Sequence, residues 1–186
     1  MAFRFQVLET VLGEAIVATC AEAIGVMDVL VKNTVEYART REQFGVPIGK
    51  FQVLQHRMVD MYIAQEQTTS MLLMALERIP VGGDISCRAV SALKAHIGVS
   101  SKFIGEQAIQ IHGGMGTTDE LSIGHYFKRL LAIEALFGDI DFHLDRYASS
   151  IDKEPGGSDI SSASGPATVD YEAFRDDVRD FLEENL

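Results

Sequence analysis

Apolar residues recur at helical spacing along most of this chain, and clusters of proline and glycine divide the pattern into four long segments. These segments span residues 5–40, 50–78, 86–111 and about 120–147. A repeat of three to four residues predicts amphipathic helices, and short connections place successive helices antiparallel. The predicted fold of residues 1–150 is therefore all-α, a four-helix up-and-down bundle.

The character of the chain changes after this bundle. Residues 151–168 are rich in glycine, serine and proline, which predicts a flexible linker. Residues 169–186 form an acidic segment whose apolar positions predict one face of a short helix: Tyr171, Phe174, Val178, Phe181 and Leu182. An isolated helix of this length is marginally stable in water, so we expect it to pack on this bundle or on a partner.

Composition narrows the function classes. The formal net charge is −11, and residues 151–186 hold ten acidic against three basic residues, a balance that argues against nucleic acid as a partner. The five histidines form no HxxxH or HExxH pair, so no metal site is predicted. No apolar run is long enough to cross a membrane, and the N-terminus does not resemble a signal peptide. Two isolated cysteines predict reduced thiols and a cytoplasmic location.

The first chemical motif is YARTREQFGVPIGKFQVLQ at residues 37–55, where the first helix ends and the second begins. Arg41, Gln43 and Phe44 lie at the break. An arginine offers a planar fork for phosphate oxygens, and an aromatic ring offers a face for stacking, so this group can bind a diphosphate joined to a flat ring. The same residues are also consistent with an ordinary helix hairpin whose C-terminal arginine complements the helix dipole.

The second motif is QIHGGMG at residues 110–116, at the end of the third helix. Glycines allow a ligand to approach the backbone closely and leave amides accessible. The motif lacks the GxGxxG pattern and follows no strand, which excludes a Rossmann or P-loop site. A glycine helix cap is the alternative explanation, although a cap requires one glycine rather than three.

Together, RxQFGxPIxxFQxxQ and AxQxxGGxG resemble the C-terminal helical domain of acyl-CoA dehydrogenases. The resemblance covers about residues 5–150 and includes GHYFKR at 124–129. It implies a flavoprotein with an N-terminal helical domain, a β-barrel and this bundle, which forms the core of a dimer or tetramer. It also implies that Arg41, Gln43 and Phe44 reach the FAD of a neighbouring subunit. Three further residues are expected to line the same dinucleotide: Gln110, Gly113 and Gly114.

The reaction that the resemblance implies is α,β-dehydrogenation of an acyl-CoA thioester, which requires a carboxylate base. Most members carry a glutamate 27 positions after the motif glutamine, where this chain has Phe137. Three interpretations follow. Asp139 is the base in an FGD-type subgroup; or Glu14, beside the position that other members use, is the base; or the chain has no base and is the non-catalytic partner in a two-subunit enzyme.

We therefore predict the C-terminal domain of an FAD-dependent acyl-CoA dehydrogenase, which contributes cofactor contacts and homo- or hetero-oligomer packing. A flavin-free helical scaffold in a heteromeric complex is the alternative from another functional class. Residues 169–186 also resemble the first helix of another acyl-CoA dehydrogenase unit, which predicts that the chain is a piece of a tandem fusion. Acyl-CoA is the substrate expected of the full-length enzyme.

Overall fold

The computed structural model describes residues 2–151, with side chains from residue 7 onward. The predicted terminal helix, and the linker after residue 151, lie outside the described residues. These residues form five α-helices in the order α1 (Ala2–Thr40), α2 (Gln52–Arg78), α3 (Gly83–His112), α4 (Ile123–Ala135) and α5 (Ile140–Ile151). This arrangement confirms the predicted helical bundle, with α4 and α5 together forming its fourth arm.

Short irregular elements connect the helices. A two-stranded hairpin of β1 (Glu42–Gln43) and β2 (Val46–Pro47) and a 3₁₀ turn follow α1. Further 3₁₀ turns, Ile79–Val81 and Gly113–Thr117, join α2 to α3 and α3 to α4. Within the described residues, no helix combines the length and the hydropathy needed to cross a membrane.

Helix α3 lies at the centre of the bundle and packs against all four other helices. Its predicted inward positions are all buried: Val90, Leu93, Ile97, Ile104, Ala108 and Ile111. The start of α1 differs from the prediction, because Leu8, Val11 and Leu12 share the helical pattern but remain exposed. No described element covers that stripe, whereas the inward face of α1 is buried from Ile16 onward.

The fourth helical segment is interrupted, although its apolar pattern predicts one helix. Phe137 and Gly138 adopt φ values of 61° and 106°, in the left-handed region. Such residues cannot continue a right-handed helix, so α4 ends at Ala135 and α5 begins at Ile140. We refer to residues 136–139 as the α4–α5 break.

Two glycines let α3 approach the fourth arm closely. A Cβ atom on Gly105 would lie 2.1 Å from Cδ2 of Phe127 on α4. A Cβ atom on Gly98 would lie 2.4 Å from Cγ1 of Ile140 on α5. Both distances are too short for real atoms, so a side chain at either position would push the fourth arm away from α3.

We expect Gly105→Ala to lower the free energy of unfolding by about 1–3 kcal/mol, because the added methyl group overpacks the contact with Phe127. Gly25→Ala is the matched control, since Gly25 is helical and exposed, and a Cβ atom there would meet no heavy atom within 4 Å. That control should be neutral or stabilising by roughly 0.5–1 kcal/mol. Urea denaturation of both variants measures the difference, and equal midpoints would contradict the packing account.

Candidate functional site

The ends of α1 and α3 are joined by an aromatic stack between Tyr37 and His112. The ring centroids are 4.3 Å apart and the planes are inclined by 25°. The Tyr37 hydroxyl donates a hydrogen bond to the His112 carbonyl oxygen at 3.5 Å, and His112 Nδ1 lies 2.8 Å from the Ala108 carbonyl oxygen. Burial lowers the pKa of His112, which favours the neutral ring. The two sequence motifs therefore meet at one end of the bundle, which we call the α1–α3 corner (residues 41–44 and 110–114).

Arg41 follows directly after α1, and its backbone is held on both sides. Its N–H donates to the Tyr37 carbonyl oxygen at 2.8 Å, and its carbonyl accepts from the Ile48 N–H at 2.8 Å. The side chain is exposed. In the part of the chain that the structure describes, its guanidinium has no ion-pair partner. The corner therefore presents an uncompensated guanidinium to an external anion.

The hairpin after Arg41 holds Phe44 away from the bundle. Phe44 and Gly45 occupy its turn with φ values of 55° and 80°, as in a type I′ turn. A positive φ is unusual for a bulky residue and is associated with functional sites. The Phe44 side chain is 93% exposed, and it makes an edge-to-face approach to Phe51 with the ring centroids 6.1 Å apart. Gln43 is also exposed, and its Nε2 donates to the Glu42 carbonyl oxygen.

The three glycines of the second motif have different structural roles. Gly113 caps α3 with φ 61°, and its N–H donates to the Ile109 and Gln110 carbonyl oxygens. Gly116 is buried, and a Cβ atom there would lie 2.9 Å from the Ile109 carbonyl oxygen. Gly114 has neither constraint, since its φ is not positive and a Cβ atom would meet nothing within 4 Å. The fold explains two of the glycines, and the open space at Gly114 is suited to a ligand outside the chain.

These features fit an anionic dinucleotide. The α1–α3 corner combines an unpaired guanidinium, an exposed aromatic face and an open glycine backbone, which suit phosphate oxygens, a planar ring and close approach respectively. The Gln110 side chain is exposed on the last turns of α3, beside Gly113 and Gly114.

The two candidate bases lie at another level of the bundle. Arg129 bonds to Glu22 at 2.6 and 2.8 Å, and Arg146 bonds to Glu9 at 3.1 Å, so two ion pairs join α1 to α4 and to α5. Glu14 lies between Glu9 and Glu22 on α1. The α4–α5 break lies between Arg129 and Arg146 on the fourth arm. At 1.5 Å per residue, Glu14 is about 40 Å along α1 from its C-terminal end. Both candidate base positions therefore lie at a similar height along the bundle, between the two ion pairs and far from the α1–α3 corner.

Asp139 has a structural task in the break. Its Oδ1 accepts a hydrogen bond from the Phe142 N–H at 2.9 Å, which is the geometry of a helix N-cap on α5. The Asp139 side chain is exposed, and Glu14 is exposed as well. Phe137 is 43% exposed, although its helical spacing is also typical of a core residue.

Lys94 is the residue near this region that the sequence analysis missed. It is 1% exposed, and its Nζ donates to the carbonyl oxygens of Glu134 and Gly138 at 2.7 and 2.9 Å. Burial lowers its pKa. The sequence signals its burial by helical spacing, because Lys94 lies four residues after Val90 and three before Ile97, on the apolar face of α3. A lysine on an apolar stripe indicates a buried polar contact.

Comparison with known proteins agrees with this geometry. The family model for the C-terminal domain of acyl-CoA dehydrogenases matches residues 5–151. The chain is 37% identical over 120 residues to acyl-CoA dehydrogenase IpdE2 of Mycobacterium tuberculosis, a match that covers 62% of this chain and 34% of IpdE2. The chain thus spans about a third of the length of this relative.

Solved structures share the fold. The ChsE4–ChsE5 complex from Mycobacterium tuberculosis superposes with a TM-score of 0.73 at 26% identity, over 78% of this chain and 39% of the matched chain. PigA, solved with FAD and proline, gives a TM-score of 0.71 at 28% identity, over 76% of this chain and 37% of its own. The long helices, their order and the matched family model lead to one conclusion: the chain belongs to the acyl-CoA dehydrogenase family and carries its C-terminal helical domain.

Proposed function

We propose that this domain belongs to an enzyme that oxidises an acyl-CoA thioester at its α and β carbons, and that its α1–α3 corner binds the FAD of a neighbouring subunit. Members of the family use FAD. The observation that carries the proposal is the Tyr37–His112 stack, because it brings both dinucleotide motifs to one corner. Acyl-CoA is the substrate of the full-length protein, and the bundle packs against other subunits.

The length of α1 indicates that the α1–α3 corner and the candidate base positions of one chain serve different active sites. The corner and the candidate base positions are about 40 Å apart along this helix. A corner that contacts the cofactor of one active site is therefore far from the region of its own chain that would face substrate. In an assembly where each bundle contacts a neighbour's cofactor, the corner of a chain serves the neighbour's active site while its base region serves its own.

We expect Arg41→Ala in the full-length protein to weaken FAD binding by about 10- to 100-fold, because a charge-assisted hydrogen bond contributes about 1.5–3 kcal/mol. Arg39→Ala is the matched control, since Arg39 is exposed near the same end of α1. Its Nη1 lies 3.8 Å from Glu36 Oε2, so this guanidinium already has a carboxylate partner. Flavin absorbance during cofactor titration measures both affinities. Equal affinities in the two variants would refute the role of Arg41, and a wild-type protein without flavin would favour the helical scaffold.

For the base, we propose Asp139, with Glu14 as the alternative. Its carboxylate would remove the α-proton of the acyl chain, and bound FAD would supply the acceptor for the hydride that leaves the β-carbon. Asp139 is exposed beside Gly138, and the cap bond to Phe142 fixes its orientation. Phe137 itself has no group that can accept a proton.

A second candidate function is that of a non-catalytic partner subunit. Three observations favour it. By the resemblance in sequence, Phe137 stands where most members carry the glutamate, and Asp139 is already engaged as a helix cap. The ChsE4–ChsE5 neighbour is, by its description, a complex of two proteins. In such an assembly this chain would support the cofactor of a partner that carries the base.

Asp139→Asn separates the two tasks of this residue, because asparagine caps a helix as well as aspartate does but cannot act as a base. We expect this substitution to lower kcat by about 100-fold or more with little change in the melting temperature. Glu14→Gln should leave kcat near the wild-type value. The reverse result would assign the base to Glu14, and full activity of both variants in the assembled enzyme would support the non-catalytic partner.

A further inference from the structure

Two backbone carbonyl groups of the α4–α5 break and one in the last turn of α4 are bonded to side chains from inside the bundle. Lys94 Nζ donates to the Glu134 and Gly138 carbonyl oxygens, and His143 Nε2 lies 3.1 Å from the Phe137 carbonyl oxygen. A carbonyl only accepts, so Nε2 of His143 carries the proton. Lys94 and His143 are 1% and 0% exposed. We call these two side chains the carbonyl clamp.

The clamp is an unfavourable arrangement for a protein core. A buried ammonium loses its hydration, and its hydrogen bonds here go to neutral carbonyl oxygens. An apolar side chain of similar length would fill the same volume without that penalty. His143 is also incompletely satisfied, because its buried Nδ1 has no hydrogen-bond partner among the described residues. Lys94 therefore supplies a donor to carbonyl oxygens near the end of α4, at the cost of burying an ammonium close to the carboxylates of Glu134 and Asp139.

The geometry shows what the clamp achieves. The carbonyl oxygens of Phe137 and Gly138 are bonded to buried groups, and both residues have positive φ. The Phe137 side chain is left 43% exposed, and Asp139 is exposed next to it. Gly98 lets Ile140 pack directly against α3, immediately after the break. The backbone of the break is thus bonded to the interior of the bundle, while the side chains of residues 137 and 139 face outward.

We propose that Lys94 is a positioning residue for the reaction: it holds the α4–α5 break in its left-handed conformation, so that residues 137 and 139 face the acyl-CoA. This inference rests on the proposed function for its chemical meaning. Lys94 contacts neither substrate nor cofactor, and it acts through the two carbonyl groups that it binds. The α1–α3 corner is at the end of α3, about 27 Å further along the helix from Lys94, so we expect the cofactor contacts of that corner to be independent of the clamp.

The decisive comparison is Lys94→Met against Lys102→Met in the full-length enzyme, since Lys102 is an exposed lysine on the same helix. We expect Lys94→Met to lower kcat by about 10- to 100-fold, because small displacements of reacting groups have effects of that size. Its KM and its flavin content should remain within about twofold of the control. Unchanged kcat would overturn the proposal, and joint loss of flavin and kcat would show a purely structural role.

A second measurement tests the clamp without turnover. The chain contains no tryptophan, so Phe137→Trp introduces a single tryptophan at the break, which can be excited at wavelengths where tyrosine does not absorb. In the 186-residue chain, adding Lys94→Met should change the emission maximum and the rate of acrylamide quenching, while adding Lys102→Met should not. Identical quenching in all three proteins would refute the clamp. If the wild-type enzyme shows no turnover, the proposed function fails, and this fluorescence result alone decides whether Lys94 holds the break.

Discussion

The contact between Tyr37 and His112 is the interaction on which the candidate site depends. The two residues lie on helices that are separated by the whole of α2, and their stacked rings fix the relative position of two helix ends. The groups that we propose to bind a dinucleotide are attached to those ends: a guanidinium and a phenyl ring on one side, an amide side chain and glycines on the other. Packing between α1 and α3 along their lengths supports the same arrangement.

A second constraint comes from α3, which contacts every other helix. Gly98 and Gly105 let the fourth arm approach its backbone, and Lys94 bonds to the carbonyl oxygens of that arm. One helix therefore supports both regions of the proposed site: the α1–α3 corner at its end and the α4–α5 break near its middle. This central position explains why its buried face combines large apolar residues with glycine, serine and one lysine.

Helical periodicity predicted the elements of this fold, because burial on one face leaves a regular pattern in the sequence. The inward positions of α3 and the end of α1 at Thr40 agree with that pattern. Periodicity did not reveal the break, since Phe137 and Ile140 continue the apolar repeat across it. Gly138 and Asp139 are local signals for a helix end and a helix start, and buried groups on α3 and α5 add tertiary contacts to the carbonyl oxygens there.

The candidate site was predictable to a similar degree. The motifs identified Arg41, Phe44 and Gly114 by their chemistry, but the Tyr37–His112 stack joins residues that are 75 positions apart. Neither residue is unusual where it stands in the sequence. The turn that exposes Phe44 was also not evident, because type I′ turns favour asparagine and glycine rather than phenylalanine.

A structure of the assembled full-length protein with its cofactor tests the central claim most directly. The account predicts that the Arg41 guanidinium lies about 3 Å from a diphosphate oxygen of the FAD held by a neighbouring subunit, with Gly114 against the same cofactor. An assembly in which Arg41 and Gly114 both face bulk solvent, or in which the FAD lies elsewhere, would contradict it.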